Sequence, residues 1–238
     1  MSPSFAPSLL PAPLARAALA LAAALAVSAC QGLIPGATRD PPRLYELSPK
    51  STFDPSLPRV RSQLVVESPE SASGLTSSRI AVKQKPTTLD YYARSEWTDL
   101  APRLVQTKLI ESFENSGKIV SVGREGSGLR SDYVLKSELR HFEAQLYDAD
   151  KPVIRVVVNV KLVRMPAREI VANRSFERTH KVESATIDQM VEGFDEALGG
   201  VLKRIVEWTI REMDARDRGV IRSLPGRGRP VGRTPPPE

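Results

Sequence analysis

This sequence predicts an α+β fold: an antiparallel sheet that includes a three-strand meander, packed by two amphipathic helices. Three observations lead there. Residues 153–165 place Ile154, Val156, Val158, Val160 and Leu162 at every second position, opposed by Arg155, Asn159 and Lys161, the period of a strand with one buried face. Polar turns at 147–152 and 166–168 bracket that run and are too short for a crossover, so the flanking segments return antiparallel. Two further stretches, 99–116 and 186–214, carry apolar residues at helical spacing, and each needs a partner face on which to bury its stripe.

At the N-terminus, Pro- and Ser-rich residues and a single Arg16 precede residues 17–29, which are almost wholly Ala, Leu and Val. A bilayer core needs about 20 helical residues, so this run is too short to span and matches the apolar region of a secretory signal. It ends in Val27, Ser28, Ala29 and Cys30, an aliphatic-small-small-Cys order that resembles the bacterial lipobox. That resemblance implies cleavage before Cys30 and lipidation of Cys30. Two or three acyl chains anchor stably, because each buried CH2 contributes about 0.8 kcal/mol. Gln31, where an inner-membrane lipoprotein has Asp, implies the outer membrane. Residues 31–42 hold Gly32, Pro35, Gly36, Pro41 and Pro42 and read as a linker.

Strand patterns follow at 43–47, 63–67 and 79–83, separated by a polar loop at 50–58 and a Ser/Gly segment around Gly74, with a short strand or turn at 88–93. The period then changes. Leu100, Leu104, Val105, Leu109 and Phe113 form a helical stripe, with Thr98 and Asp99 as N-cap candidates, Pro102 in the first turn and Gly117 as the stop. A short strand at 119–122 and a loop with Gly123, Gly126 and Gly128 lead into a long strand at 132–146. Its apolar parity switches between Leu139 and Phe142, which requires a bulge near Arg140 and His141. The meander closes with 169–181. The second helix, 186–214, carries Met190, Phe194, Leu198, Val201, Leu202, Ile205 and Trp208. The expected organisation is a signal at 1–29, a lipidated linker at 30–42, the α+β domain at 43–214 and a basic Pro/Gly/Arg tail without regular structure at 215–238.

The chemistry-bearing residues are few. Cys30 is the only cysteine, so no internal disulfide forms. His141 and His180 are the only histidines, and neither HxxxH nor CxxC spacing occurs, so no metal and no cofactor is expected. Glu138, Glu143, Asp148 and Asp150 cluster on a strand and its turn, where charge is usually solvated rather than set up for acid/base work. The Gly123–Gly128 loop lacks the Gly-Lys-Ser/Thr ending of a phosphate cradle and precedes a strand. The expectation is therefore no enzyme and no catalytic residue. Of the net charge of +6, six arginines from Arg216 onward account for most, against Asp217 and Glu238, so the body is near neutral and nucleic acid is not an expected partner. Tyr91, Tyr92 and Trp97 are grouped in an aromatic-poor chain, as part of the core or as a partner-binding surface.

These pieces, in order, resemble the ABC-type transport auxiliary lipoproteins, the PqiC-like group. The matching residues are Arg43-Leu44-Tyr45-Glu46-Leu47-Ser48, Gly74-Leu75, Arg79-Ile80, Tyr91-Tyr92-Ala93 with Ser95 and Trp97, and Ala101-Pro102-Arg103-Leu104. They continue with Ser116-Gly117-Lys118, Asp132-Tyr133-Val134-Leu135, Phe142, Phe176, and Ala197-Leu198 through Val206-Glu207-Trp208. The resemblance covers about 43–210. It implies a non-catalytic, membrane-anchored periplasmic component of an ABC transporter with an MCE-type subunit, moving phospholipid or other hydrophobic molecules and docking that subunit to the outer membrane, with a homo-oligomer allowed. The other reading is a cell-envelope scaffold or assembly lipoprotein, related to lipopolysaccharide or peptidoglycan.

Overall fold

The computed structural model describes residues 41–126, 128, 130–147 and 151–223, with side chains through 219. The leader, Cys30, Asp148, Asp150 and the tail beyond 223 lie outside the described residues. The strands are β1 (Arg43–Tyr45), β2 (Val60–Val66), β3 (Glu70–Ser71), β4 (Arg79–Lys83), β5 (Asp90–Trp97), β6 (Ile119–Arg124), β7 (Tyr133–Gln145), β8 (Val153–Arg164) and β9 (Glu169–Lys181). The helices are α1 (Ala101–Ser116) and α2 (Ile187–Ser223).

All nine strands join one sheet. The meander β7–β8–β9 is antiparallel throughout, and its β7·β8 register slips between Leu139 and His141, the bulge that the parity switch required. The rest of the sheet is mixed. The far edge of β7 takes β2 beside its start, β3 beside its middle and β4 beside its end, all parallel, while β6 pairs parallel with β2 and β1 with β5. Parallel pairing arises because β2 leads through β3 and β4 along one edge of the same long strand. β5 runs on to Trp97 beyond the expected 93, and Arg94 takes a left-handed φ of 52° where its register with β4 shifts.

One face of this sheet is covered by both helices. Ile154, Val156, Val158, Val160 and Leu162 are each 0% exposed beneath α2, whose Phe194, Leu198, Val201, Leu202 and Ile205 are equally buried. Each such side chain contributes about 1.5–3 kcal/mol relative to exposure, an upper estimate because the unfolded chain is partly collapsed. A built Cβ on Gly193 would stand 2.5 Å from Val182 Cγ1, and one on Gly200 would stand 2.3 Å from Arg178 Cδ. Two glycines seven apart on one helix face thus let α2 lie close against β9.

The two helices end differently from expectation. Neither Thr98 nor Asp99 caps α1: Leu100 is its N-cap residue, and the Asp99 carboxylate accepts the Leu100 N–H instead. Gly117 closes the helix in the left-handed conformation at φ 59°. α2 continues through Ser223, past 214 and into the segment expected to be irregular. Its extra turns are fastened to the sheet: Asp217 accepts Ser62 Oγ at 2.6 Å and Tyr133 OH at 3.0 Å, and Arg216 donates to the Val171 carbonyl. Arg218 pairs with Asp214 one turn back.

Candidate functional site

Of the three aromatic residues singled out in the sequence, the structure separates one from the other two. Trp97 is 1% exposed and packs edge-on to Phe194 at 5.2 Å and tilted to Phe142 at 5.7 Å, so it is a core residue and not a surface contact. The cause is local: β5 carries it under α2 just before α1 begins. Tyr91 and Tyr92 are half-buried neighbours on β5 that point to different supports. Tyr91 OH donates to the Gly74 carbonyl and its ring stacks under Arg79 at 3.8 Å; Tyr92 OH donates to the Ala185 carbonyl, ahead of α2.

Around that end of α2 lies an open groove of about 730 Å³, lined by residues after β1, the end of β9 and the first turns of the helix. Its walls are acidic: Glu46, Glu183, Glu192, Asp195 and Glu196 stand against His180 and Lys181. Asp195 accepts the Ser48 N–H at 2.6 Å, which ties the segment after β1 to the helix. Tyr45 OH donates to Asp188 at 3.1 Å, and burial together with that carboxylate raises its pKa. Glu46 is held by Lys108 Nζ at 3.0 Å; burial pulls the Lys108 pKa down, but its hydrogen bonds to the Glu46 and Glu111 carboxylates outweigh it and raise it overall. Acidic residues at the helix N-terminus also complement its dipole.

Glu143 departs from the solvated carboxylate expected. It is 1% exposed and accepts from His141 Nδ1 at 2.8 Å, the Phe142 N–H at 2.8 Å and Gln145 Nε2, with Lys83 Nζ at 3.8 Å. A carboxylate so surrounded is a structural anchor for the end of β7. Glu138, by contrast, is an exposed partner of Arg140. His180 lines the acidic groove, apart from His141.

A second cleft of about 310 Å³ runs along the seam of β9 and the middle of α2, where Arg174, Arg204 and Arg211 outnumber Glu207 and Glu212 around Phe176 and Trp208. Phe176 meets Trp208 at 5.6 Å in a T-shaped contact, and two guanidiniums, Arg174 and Arg204, lie 5.5 and 5.7 Å from its ring. The acidic groove and this basic cleft sit on successive parts of one helix. Neither was read from the sequence. The available signals were the Gly193/Gly200 spacing, which implies close helix–strand contact, and the alternation Arg174, Phe176, Arg178 on a strand.

Comparison with known proteins follows the same boundaries. The family model for the ABC-type transport auxiliary lipoprotein component matches residues 45–206. The crystal structure of XCC0632 from Xanthomonas campestris is 29% identical and aligns with a TM-score of 0.71, covering 74% of this chain and 99% of its own. Another crystal structure, 15% identical, reaches a TM-score of 0.50 over 76% of this chain and 99% of that one, and shares the fold. Among curated proteins, bll6063 of Bradyrhizobium diazoefficiens is 24% identical over 169 residues, 70% of this chain. The match spans 44% of that relative's length.

Proposed function

The chain belongs to the ABC-type transport auxiliary lipoprotein family, and from that premise we propose that it is held by lipidated Cys30 at the periplasmic face of the outer membrane. There it docks the MCE-type subunit of an ABC transporter that moves phospholipid or other hydrophobic molecules, without catalysing a reaction. The observation that carries the reading is the family match from the end of β1 to the middle of α2, which takes in β2 through β9, α1 and the first half of α2. The lipobox order ending at Cys30 supports the anchor, and Gln31 the choice of membrane. The half-buried Tyr91 and Tyr92 supply aromatic contact area for a partner, with Trp97 supporting the same strand from the core side.

Two experiments test it. Cys30→Ser should leave the domain folded, by circular dichroism, yet move it from the outer-membrane fraction to the soluble one; continued acylation and outer-membrane fractionation would overturn the anchor. Cross-linked capture of the full chain from membranes should recover an MCE-type subunit. Recovery of a lipopolysaccharide-assembly or peptidoglycan-bound partner instead would replace docking with the scaffold reading.

A further inference from the structure

Strand β9 is an edge of the sheet: it pairs with β8 and with no other strand among the described residues. Its side chains divide sharply. Asn173, Ser175, Glu177 and Thr179 lie on the helix-free face, while Arg174, Phe176 and Arg178 lie on the face shared with α2, where Arg178 rests against Gly200 and Phe176 against Trp208. The Glu177 carbonyl faces away from β8, because the Val182 N–H donates to the Pro152 carbonyl and the unshifted register from there puts the odd-numbered residues outward; Arg204 Nη1 donates to it at 2.9 Å. In an antiparallel pair the outward groups alternate, so the N–H and C=O groups of Asn173, Ser175 and Thr179 also face the open edge.

An exposed strand edge invites another strand, and proteins ordinarily blunt it with charge. The charge here has a particular form. Arg174 and Arg178 have no carboxylate within ion-pair distance among the described residues, whereas Arg155, Arg164, Arg211, Arg216 and Arg218 all have one. Arg174 and Arg204 both lie within 6 Å of the Phe176 ring centre, and Arg204 spends its hydrogen bond on a neutral backbone carbonyl. The carboxylates nearest them in the cleft, Glu207 and Glu212, are engaged by Lys203, Arg211 and Arg216, so the guanidiniums gathered around this buried ring form a receptor for further carboxylates, which they bind bidentately.

We propose that the β9 edge accepts an extended segment of the docked transporter subunit by strand addition, with acidic side chains opposite Arg174 and Arg178 and an apolar one opposite Phe176. This rests on the docking reading above and names the recognition chemistry. Against an antiparallel incoming strand, positions 174, 176 and 178 are the close, non-hydrogen-bonded pairs, Cα atoms about 4.5 Å apart, so side-chain identity is read there most strongly. The pattern acidic-x-apolar-x-acidic is the same in both directions, so it fits a parallel or an antiparallel partner. Arg204 exchanges the Glu177 carbonyl for an incoming carboxylate, freeing that carbonyl for the new ladder.

The test uses the full chain in detergent and two blocked heptapeptides, TDTVTDT and TKTVTKT, at millimolar concentration, read by hydrogen-exchange mass spectrometry over residues 173–179. The aspartate peptide should slow exchange there and the lysine peptide should not. In the double variant Arg174→Glu, Arg178→Glu the preference should invert, with at least a roughly tenfold change in the concentration giving half protection. Ser175→Pro removes one outward N–H and is tolerated on an edge, so it should abolish protection by either peptide while the melting temperature stays close to wild type. Equal protection by both peptides, or none by the aspartate peptide, overturns the inference. If the charge-reversed chain still captures the MCE-type subunit, strand addition fails and docking stands; if the wild-type chain captures none, docking itself fails.

Discussion

Strands β8 and β9 are neighbours in one meander, share a face beneath one helix, and bury it very differently. On β8 the five residues from Ile154 to Leu162 at alternate positions are all 0% exposed. On β9 the corresponding row is Ala172, Arg174, Phe176, Arg178 and His180, of which Phe176 alone is buried. Helix α2 lies squarely over β8 and reaches β9 with its flank, through Gly193, Gly200, Arg204 and Trp208. One strand is given to stability and the other, half covered, is left with side chains that a partner can reach. The strand that looked most informative in the sequence is therefore the one with least to say about function.

The sharpest way to break this contrast is to treat β8 as though it were β9. Val158 sits between Leu139 and Phe176 in register and is 0% exposed. Val158→Asp places a carboxylate there with no partner, a cost of several kcal/mol against a total stability of about 5–15. The expected outcome is loss of cooperative unfolding and of soluble yield, measured by urea denaturation and circular dichroism. Phe176→Ala makes the converse point, since Phe176 is the β9 residue that behaves as core. It should cost about 3 kcal/mol, at the low end for a buried phenylalanine because Arg174 and Arg204 can close over the gap. A loss of unfolding free energy under about 1 kcal/mol, from the urea curves, would show that the ring is not held by α2.

The two glycines of α2 test how closely the helix sits on each strand, and they should differ in sign. A methyl on Gly193 meets Val182 Cγ1 at 2.5 Å and Ile154 Cγ1 at 2.8 Å, both in the core. Overpacking of about 1–3 kcal/mol should exceed the gain of up to about 1 kcal/mol in helix propensity, so Gly193→Ala destabilises. At Gly200 the obstacle is the flexible Arg178 side chain, whose nearest atom is 2.3 Å away and can swing aside. Gly200→Ala should be neutral or slightly stabilising, by thermal melting, and equal losses at both sites would mean that Arg178 is as fixed as the core.

What the sequence made legible is what depends on neighbours along the chain. The alternation in β8 and the parity switch at Arg140 and His141 are local, and both stand in the structure at the expected places. The parallel seating of β2, β3 and β4 on one edge of β7 depends on contacts far apart in sequence, and no pattern of period two can distinguish it from antiparallel pairing. The same limit applies to the sites. Trp97 beside two tyrosines reads alike whether it faces out or in, until Phe142 and Phe194 are seen beneath it. The extension of α2 was hidden because Gly219 and the surrounding arginines lack apolar periodicity, while its fastening comes from Ser62, Tyr133 and Val171 on three different strands.

That fastening gives a small expected effect, and the one that depends on pH. Tyr133 is 2% exposed, and its pKa is pushed above the ordinary 10.0, first by burial and then by donation to the Asp217 carboxylate. A phenol whose pKa is raised on folding contributes stability that is fully present below its unfolded value and is lost as pH rises through the folded one. The loss should therefore begin near pH 10 and deepen above it. Tyr133→Phe removes one hydrogen bond and leaves Asp217 with Ser62, costing about 1 kcal/mol near neutral pH. Above pH 10 the variant should lose less than wild type, so that the two unfolding midpoints converge. Lys108, whose pKa is also raised, leaves a residual alkaline slope in both proteins, and Tyr133→Phe together with Lys108→Met should flatten it further. Midpoints that stay parallel from pH 8 to 11 would mean that the end of α2 is held to the sheet by Arg216 on Val171 rather than by the tyrosine, and that the helix is pinned to β9, the partly covered strand, instead of β7.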